Sequence, residues 1–361
     1  MDDNITWVNS LSESVKCFLE SQKSDTIQGY YAYSESGDLY SEKYRWNVGS
    51  SCFALKLLYT LGVESKKEVQ STLDYILGFV KDDCLIYDDF VVKKSFAKNF
   101  ASSIIHKRFN NLLHQDYKRA ETRQCLSALS LYDAIPSDFK IECPSSEDEV
   151  NSFLKSLNWN LPWAAGSHFS HLLFFIKTKH NLGQISDSNY LRLVEYTVDW
   201  IDERQLPQTG GWGTGNIDAR NIINGAMKVM TGLQNVDVIQ YSNAELLIDT
   251  CLSYTKAGHA CDNFNIVYVL NKLSASLSHG YRFDEISSFM LSKLGTYREH
   301  FKPKSGGFSF YKDSSNTHYY GLKITKGRNE ADIHGTVLFL WGICLISDTL
   351  DLKTGLREFV T

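Results

Sequence analysis

Proline is scarce in this chain, with only 5 among 361 residues. Few prolines suit long, uninterrupted helices, because proline disrupts a helix interior. Long apolar runs are also missing: none approaches the roughly eighteen residues that a membrane-spanning helix needs. The longest apolar helix is predicted near Val337 to Ile346 and is expected to be broken by Gly342. The sequence therefore predicts no stable membrane insertion.

Signals for export and for nucleic-acid binding are missing too. The N-terminal residues include Asp2 and Asp3 and lack the basic and apolar regions of a secretory signal. The 8 cysteines form no CxxC pair and mostly fall within apolar helical patterns, which favours buried thiols in a reducing cytoplasm. A net charge of −5 gives no basic footprint, so no nucleic-acid partner is expected.

Several catalytic motifs are absent from the sequence. It contains no P-loop, no GxGxxG after a predicted strand, no HExxH and no GxSxG. The aspartate-rich DDxxD motif is missing as well. Nucleotide-dependent chemistry is therefore not expected.

A repeated pattern organises the chain. In its fullest copy a helix ends at Trp200-Ile201, Gln205 follows, and a Gly-Gly-Trp turn ending at Trp212 leads into a new helix at Asp218. Weaker copies begin near residues 18, 75, 153, 252 and 297. Six copies correspond to a period of about 60 residues, which is typical of helical-hairpin repeats.

Each repeat is predicted to contain an amphipathic helix followed by a more uniformly apolar one. The apolar helices are predicted at residues 49–61, 125–131, 166–176, 222–233, 265–273 and 335–346. A helix that is apolar nearly all round is buried on most sides. The sequence therefore predicts one all-α domain over residues 1–361, an (α/α)6 toroid with an outer and an inner ring of helices. Residues 88–119 do not fit the period and are predicted to form an extra helical excursion.

The segment from Trp200 to Trp212 resembles the QW motif of the terpenoid cyclase and protein prenyltransferase β-subunit superfamily. In that superfamily the Gln caps a helix end and the Trp stacks beneath the following turn, which ties neighbouring hairpins together. The resemblance implies the toroid fold. It also implies a small-molecule substrate and, for the prenyltransferase branch, a protein partner subunit.

Two further segments add to the resemblance. Residues 331–342 are similar to the final inner helix of prenyltransferase β subunits, whose His is a zinc ligand. Residues 258–265 lie where those subunits place an Asp and a Cys ligand, and where squalene-type cyclases carry an acidic motif. The resemblance implies zinc as a candidate cofactor, with Cys261, Asp262 and His334 as its ligands.

The candidate catalytic residues lie at the starts of predicted inner helices. They are Asp262, His334, His168 and Asp332. Asp262 is expected to donate a proton, with His334 or His168 as its partner. The alternative is structural: Asp332 caps its helix, and Cys261 is a buried thiol.

The candidate substrate-binding residues share a polar or aromatic side chain near these helix starts. They are His171, Asn221, Asn224, Arg123, Trp46, Trp163 and Arg328. His171 lies three residues from His168, so the two share a helix face. Asn221 and Asn224 lie within an apolar helix and need a ligand or a polar network that joins hairpins. Arg123 is expected to bind an anionic group or to pair with a neighbouring hairpin.

Three functions fit these patterns. The first is an enzyme that acts on an isoprenoid- or lipid-like molecule by acid/base chemistry, of the cyclase, lyase or isomerase kind, since aromatic faces stabilise a carbocation. The second is a glycan-active (α/α)6 enzyme, a lyase, epimerase or hydrolase. Its sugar rings would stack on exposed aromatics, predicted to be Trp46, Trp159, Trp163 and Tyr311. The third is a non-catalytic toroid subunit that binds a partner.

Overall fold

The computed structural model describes residues 2–40, 46–63, 65–105, 111, 115–256, 258–277 and 279–361. Within these ranges the chain forms thirteen α-helices and four two-residue strands. The predicted all-α class is therefore confirmed.

The helices in chain order are α1 (Asp2–Gln22), α2 (Val48–Thr60), α3 (Gln70–Leu77), α4 (Asp89–Ile105), α5 (Gln115–Ser130), α6 (Glu147–Ser156), α7 (Pro162–Asn181), α8 (Asp187–Asp202), α9 (Ala219–Asn235), α10 (Ala244–Ser253), α11 (Ala260–Ser276), α12 (Phe283–His300) and α13 (Ile333–Thr349). Strand β1 (Phe301–Lys302) pairs antiparallel with β2 (Gly307–Phe308), and β3 (His318–Tyr319) pairs with β4 (Leu322–Lys323). Helix α4 falls within the predicted excursion.

All six predicted apolar helices are helices in the structure: α2, α5, α7, α9, α11 and α13. A helix begins at Asp218 as predicted, and Asp218 caps α9, because its side chain accepts a hydrogen bond from the backbone N–H of Asn221. Helix α13 runs through Gly342 without a break, so the predicted interruption there is wrong. A Cβ at this position would lie 2.5 Å from the Tyr297 hydroxyl, and glycine therefore allows α13 and the end of α12 to approach closely.

Backbone contacts divide the chain into two compact units. The first comprises Met1–Ile135, Tyr297–Cys344 and Thr354–Phe359, and the second comprises Pro136–Thr296, Leu345–Lys353 and Val360–Thr361. In the first unit α2 packs on α3 and α5. In the second unit α9 packs on α7 and α11, while α8 packs on α6 and α7.

The predicted repeat has a structural counterpart in the turns that follow four helices. After α1, α3, α8 and α12 the backbone folds back and pairs across the turn. The pairs are Lys23 with Tyr31, Val80 with Ile86, Gln205 with Trp212, and Phe301 with Phe308. Each pair falls in one of the predicted copies. In the copies near residues 153 and 252, the described residues form no such pair.

Glycine allows two of these turns to dock on a neighbouring helix. Gly29 and Gly306 have φ values of +79° and +82°, a conformation that favours glycine. A Cβ on Gly29 would lie 2.0 Å from the carbonyl oxygen of Ser71 in α3, and one on Gly306 would lie 2.1 Å from that of Ser14 in α1. The turn after α1 therefore rests on α3, and the turn after α12 rests on α1.

The fullest copy shows how its polar residues join two helices. Trp212 Nε1 donates to the carbonyl oxygen of Ile201 at 2.9 Å, near the end of α8. Gln205 Nε2 donates to the Gly210 carbonyl at 2.6 Å, and its Oε1 accepts the backbone N–H of Asn243 at 2.9 Å, just before α10. The resemblance assigned helix capping to the Gln and stacking to the Trp. Here the Trp indole caps α8, and the Gln joins the turn to the start of α10.

The 8 cysteines are all free thiols. Cys52, Cys125, Cys251 and Cys344 are buried, as their apolar helical patterns predicted. Cys17 is exposed, so the prediction of a buried thiol is wrong at that position.

Candidate functional site

His334 lies in an aromatic setting in the first unit, one residue after the start of α13, and is partly exposed. Its ring stacks on Phe53 of α2, with centroids 4.7 Å apart and an interplanar angle of 10°. Phe310 lies 5.0 Å away at 43°, and Tyr33 approaches edge-on at 6.4 Å. The imidazole is therefore held between aromatic rings from three separate segments.

Hydrogen bonds connect this imidazole to two polar side chains, Tyr33 and Asn316. Asn316 Nδ2 donates to the carbonyl oxygen of His318 at 2.9 Å and to the hydroxyl of Tyr33 at 2.8 Å. Because the Tyr33 oxygen accepts from Asn316, its single proton is available for His334 Nδ1, 3.0 Å away. A proton given by Tyr33 to Nδ1 places the ring proton on Nε2. Neither Tyr33 nor Asn316 was singled out from the sequence.

Asp332 organises the loop around this chain. It is fully buried; its Oδ1 accepts the N–H of Gly335 at 2.8 Å, and its Oδ2 accepts those of Phe310 at 2.8 Å and Asn316 at 3.0 Å. Burial raises the pKa of Asp332 to about 7, although these three N–H groups lower it. The geometry supports the capping interpretation of Asp332, which positions residues that contact His334.

A second carboxyl, Glu121 of α5, is buried beside the same aromatic rings. Tyr319, whose ring lies 6.1 Å from that of Tyr33 and 6.3 Å from that of Phe53, donates its hydroxyl to Glu121 Oε2 at 2.8 Å. Glu121 is fully buried, and its Oε1 has no hydrogen-bond partner. Burial raises the pKa of Glu121 to about 8, against the lowering effect of the Tyr319 hydrogen bond. Glu121 is therefore a carboxyl that holds its proton near neutral pH.

Glycine at position 49 makes the Tyr319–Glu121 contact possible. A Cβ there would lie 2.1 Å from the Tyr319 hydroxyl oxygen. The Tyr319 side chain, which comes from β3, crosses α2 at this glycine and reaches α5. Gly49 was predicted to lie at the start of an inner helix, with no contact assigned to it.

Three other predicted residues of the first unit have different settings. Trp46 is only 1% exposed and packs against Tyr40 and Phe90, so its predicted exposure is wrong. Arg123 lies on α5 two residues after Glu121 and is partly exposed. Arg328 is exposed, and its backbone carbonyl accepts the N–H of Ser315 at 2.8 Å.

Asp262, in the second unit, is the centre of a polar network between α9 and α11. Arg220 donates Nε to Asp262 Oδ1 at 2.9 Å and Nη2 to Oδ2 at 2.8 Å. Asn224 Nδ2 donates to Oδ1 at 3.0 Å, and Asn265 Nδ2 donates in turn to Asn224 Oδ1 at 2.8 Å. His259 Nε2 lies 3.6 Å from Oδ2. Asn224 thus joins two helices, which is the network alternative that the sequence left open.

The charge of Asp262 follows from these partners. Burial would raise its pKa, but the hydrogen bonds from Arg220 and Asn224 outweigh burial and lower the pKa below the usual aspartate value. Asp262 is therefore a carboxylate, which gives no support to its predicted role as proton donor. His334 and Asp262 belong to different units, so their pairing stays a prediction.

The donors proposed for zinc do not fit that ion. The Asp262 carboxylate is already engaged by the Arg220 guanidinium, a cation that a metal would have to displace. Across the described residues, no group of three or more His, Cys, Asp or Glu side chains is placed to hold a metal ion. The partly exposed Cys261 thus remains a thiol next to an ion pair.

The remaining predicted residues lie on α7 and α9. The rings of His168 and His171 are 6.1 Å apart, which confirms that they share a helix face, and His171 Nε2 lies 3.4 Å from Ser167 Oγ. Trp163 is 52% exposed, as predicted, and Lys228 Nζ lies 5.5 Å from its ring centroid. Asn221 is exposed, and its amide donates to Asp218 at 2.9 Å.

Comparison with protein-family models, curated proteins and solved structures gave no significant match. The candidate sites therefore depend on their own geometry. Among the helices in the described ranges, none is long and apolar enough to cross a lipid bilayer.

Proposed function

We propose that this protein is an enzyme that moves protons at a carbon atom next to a carboxyl or carbonyl group, of the lyase or isomerase class. The observation that carries the proposal is the chain of hydrogen bonds Asn316–Tyr33–His334. We infer that Tyr33 donates to His334 Nδ1, which leaves the ring proton on Nε2 of the partly exposed imidazole. A neutral imidazole N–H of this kind stabilises the negative charge that develops on a substrate oxygen when the adjacent carbon loses a proton.

The pair of Tyr319 and Glu121 supplies the proton-transfer partner in this proposal. A group whose pKa lies near the working pH transfers protons most effectively, and the pKa of Glu121 is raised to about 8. In the fraction of molecules whose Glu121 has released its proton to solvent, Tyr319 passes its hydroxyl proton to Oε2 while its oxygen receives the proton leaving the substrate. The reverse transfer returns the proton to carbon or to a leaving oxygen.

An acidic sugar is the substrate class that fits this chemistry best. The carbon next to a uronate carboxyl carries the acidic proton, and the carboxyl oxygen is the acceptor for His334 Nε2. Phe53 and Phe310 present aromatic faces beside the imidazole, suited to the C–H face of a sugar ring. The glycan-active alternative is therefore our first choice, as a lyase or epimerase.

Hydrogen exchange at carbon tests the proposal directly. The protein would be incubated in D2O with polygalacturonate, alginate and heparan sulfate, and NMR would follow loss of the proton next to the carboxyl; ultraviolet absorbance would report any C=C bond formed. We expect exchange or elimination with one of these, reduced at least about 10²-fold in His334→Gln. His180→Gln, a change outside the first unit, is the control. Full activity of His334→Gln would refute the role of His334.

The isoprenoid hypothesis has one observation in its favour and is our second candidate. A buried, protonated carboxyl is the group that protonates an alkene, and Glu121 meets that description, whereas Asp262 is ionised. Incubation with farnesyl and geranylgeranyl diphosphate and squalene, followed by mass spectrometry, would detect cyclised products. Products that vanish in Glu121→Gln, with no exchange on any acidic sugar, would favour this candidate over the first.

We also propose that the hairpins form the (α/α)6 toroid predicted from the sequence. The turn after α1 rests on α3, the turn after α8 bonds to the start of α10, and the turn after α12 rests on α1. The same connection therefore recurs along the chain, and its last occurrence returns to the first helix, as a closed ring of hairpins requires.

A further inference from the structure

A pocket walled by tryptophan lies at the fullest copy of the repeat, in the second unit. Its volume is about 280 Å³, and three indoles line it: Trp159, Trp200 and Trp212. The pocket lies between the ends of α6 and α8 and the turn that contains Trp212. Neither proposed catalytic pair contributes to it, so its role is independent of the proposed function.

The walls of this pocket are fixed by the protein itself. Trp212 donates its indole N–H to Ile201, and the backbone N–H of Thr214 donates to the Trp159 carbonyl at 3.0 Å. The second bond ties the loop of Trp159 to the turn that carries Trp212. The ring centroids of Trp159 and Trp200 lie 6.1 Å apart with an interplanar angle of 35°. The pocket is thus preformed, as ligand sites usually are.

Two indole N–H groups of the pocket have no acceptor. Nε1 of Trp159 and Nε1 of Trp200 are both buried without a hydrogen-bond partner, although buried indole N–H groups usually have one. Leaving a buried donor unpaired is unfavourable. Neither nitrogen is accessible from the pocket, so the indoles present their ring carbons to a ligand.

The positive charges at the pocket favour one kind of ligand. Lys155 and Arg204 both line the pocket and both are exposed. The Arg204 guanidinium lies 3.7 Å from the Trp200 ring centroid and donates to the Trp200 carbonyl at 2.7 Å. Because a cation already covers this indole face, a cationic ligand is disfavoured. The two positive side chains favour an anion.

We propose that this pocket binds an acidic sugar unit. The C–H face of the ring would pack on the indole of Trp159, and its acidic group would pair with Lys155 and Arg204. A flat apolar face and a negative charge occur together in such a unit. Neutral sugars lack the charge, and simple carboxylates lack the ring.

NMR of the full chain labelled with 15N-tryptophan tests this site without any assay of activity. The probes are glucuronate, galacturonate and glucose 6-phosphate, with glucose and acetate as matched controls. The indole signals would be assigned with Trp159→Phe, Trp200→Phe and Trp163→Phe, the last a change at an exposed tryptophan outside the pocket. We expect the Trp159 and Trp200 signals to shift with the acidic sugars, at concentrations about tenfold lower than with glucose or acetate.

Lys155→Gln should weaken binding of the acidic sugars and leave that of glucose unchanged, and added salt should have the same effect. Trp163→Phe should bind like the wild type. Equal shifts with glucose and glucuronate would overturn the acidic class, and equal shifts with acetate would overturn the sugar. Absence of any shift at Trp159 and Trp200 with all three acidic sugars at millimolar concentration would overturn the site.

Discussion

At Tyr33, one hydroxyl contacts both Asn316 and His334. Its oxygen accepts from Asn316, and in the proposed tautomer its proton is given to His334 Nδ1. We predict that Tyr33→Phe, which removes only this hydroxyl, releases the imidazole from a single tautomer. The 15N spectrum of histidine-labelled protein should show one Nε2–H form in the wild type and a mixture in the variant.

The same substitution should lower the rate of the proposed reaction by about 10²–10³-fold, the usual effect of losing one oriented donor. Tyr281→Phe removes a tyrosine hydroxyl bonded to Asp249 in the other unit and is the matched control. It should leave the His334 signals unchanged. An unchanged tautomer in Tyr33→Phe would show that another contact fixes the ring.

Glu121 makes the stability of the protein depend on pH. The pKa of Glu121 is about 8 in the folded chain, against 4.5 for a solvated glutamate such as that of the unfolded chain. Between these two pH values the folded state keeps a proton that the unfolded state releases. The contribution of Glu121 to stability is present below pH 4.5, falls as pH rises and is lost above about 8. The total is on the order of a few kcal/mol.

Asp88 and Asp332, with pKa values raised to about 6 and 7, act in the same direction, so a difference measurement is needed to isolate Glu121. We predict that Glu121→Gln flattens the fall of the unfolding free energy between pH 5 and 8, measured by urea titration. Glu13→Gln, at an exposed ion pair with Lys16, should keep the wild-type slope. The same slope in both variants would contradict the raised pKa of Glu121.

At the scale of elements, one side chain joins the turn after α8 to the start of α10. Gln205 bonds to Gly210 within the turn and to the N–H of Asn243 before α10. We predict that Gln205→Ala lowers the unfolding free energy by about 1–3 kcal/mol, because two buried groups lose their partners. Gln208→Ala, at an exposed position of the same turn, should change it by less than about 0.5 kcal/mol. Equal effects would mean that the Gln205 bonds are dispensable.

These elements show which features the sequence encodes locally. The six apolar helices were predictable because a helix that is apolar nearly all round is buried on most sides, and four turns were predictable because each carries a glycine or an aromatic at a fixed place. The β-strands were missed, since two residues leave no period. The exposure of Trp46 was misjudged because its aromatic partners, Tyr40 and Phe90, lie in separate segments.

The candidate sites were only half predictable for a similar reason. His334 and Asp262 were found because a charged residue at the start of an apolar helix is conspicuous. Their partners were not: Tyr33 lies 301 residues from His334, and Arg220 lies 42 residues from Asp262. From the sequence alone, Asp262 was interpreted as a protonated carboxyl. The contact with Arg220 lowers its pKa and makes it a carboxylate. Glu121 left no signal at all, because a carboxyl in a helix is ordinarily solvated.

At the scale of the whole molecule, the resemblance that suggested the toroid also suggested zinc, and the two can be separated. A zinc ion on Asp262 would have to replace Arg220, which binds the carboxylate through two hydrogen bonds of 2.9 and 2.8 Å. We therefore predict that elemental analysis of the purified protein finds less than one zinc per chain. Dialysis against EDTA should leave the thermal unfolding midpoint unchanged, since no metal-dependent folding energy is lost.

Arg220→Met provides the sharper form of this experiment, because it frees the Asp262 carboxylate while keeping the length of the side chain. The pKa of Asp262 should rise in the variant, since the guanidinium that lowers it is gone and burial remains. One zinc per wild-type chain, lost in Cys261→Ser, would instead show that the ion displaces Arg220. In that case the prenyltransferase resemblance would extend from the architecture to the chemistry, and Asp262 would act as a metal ligand.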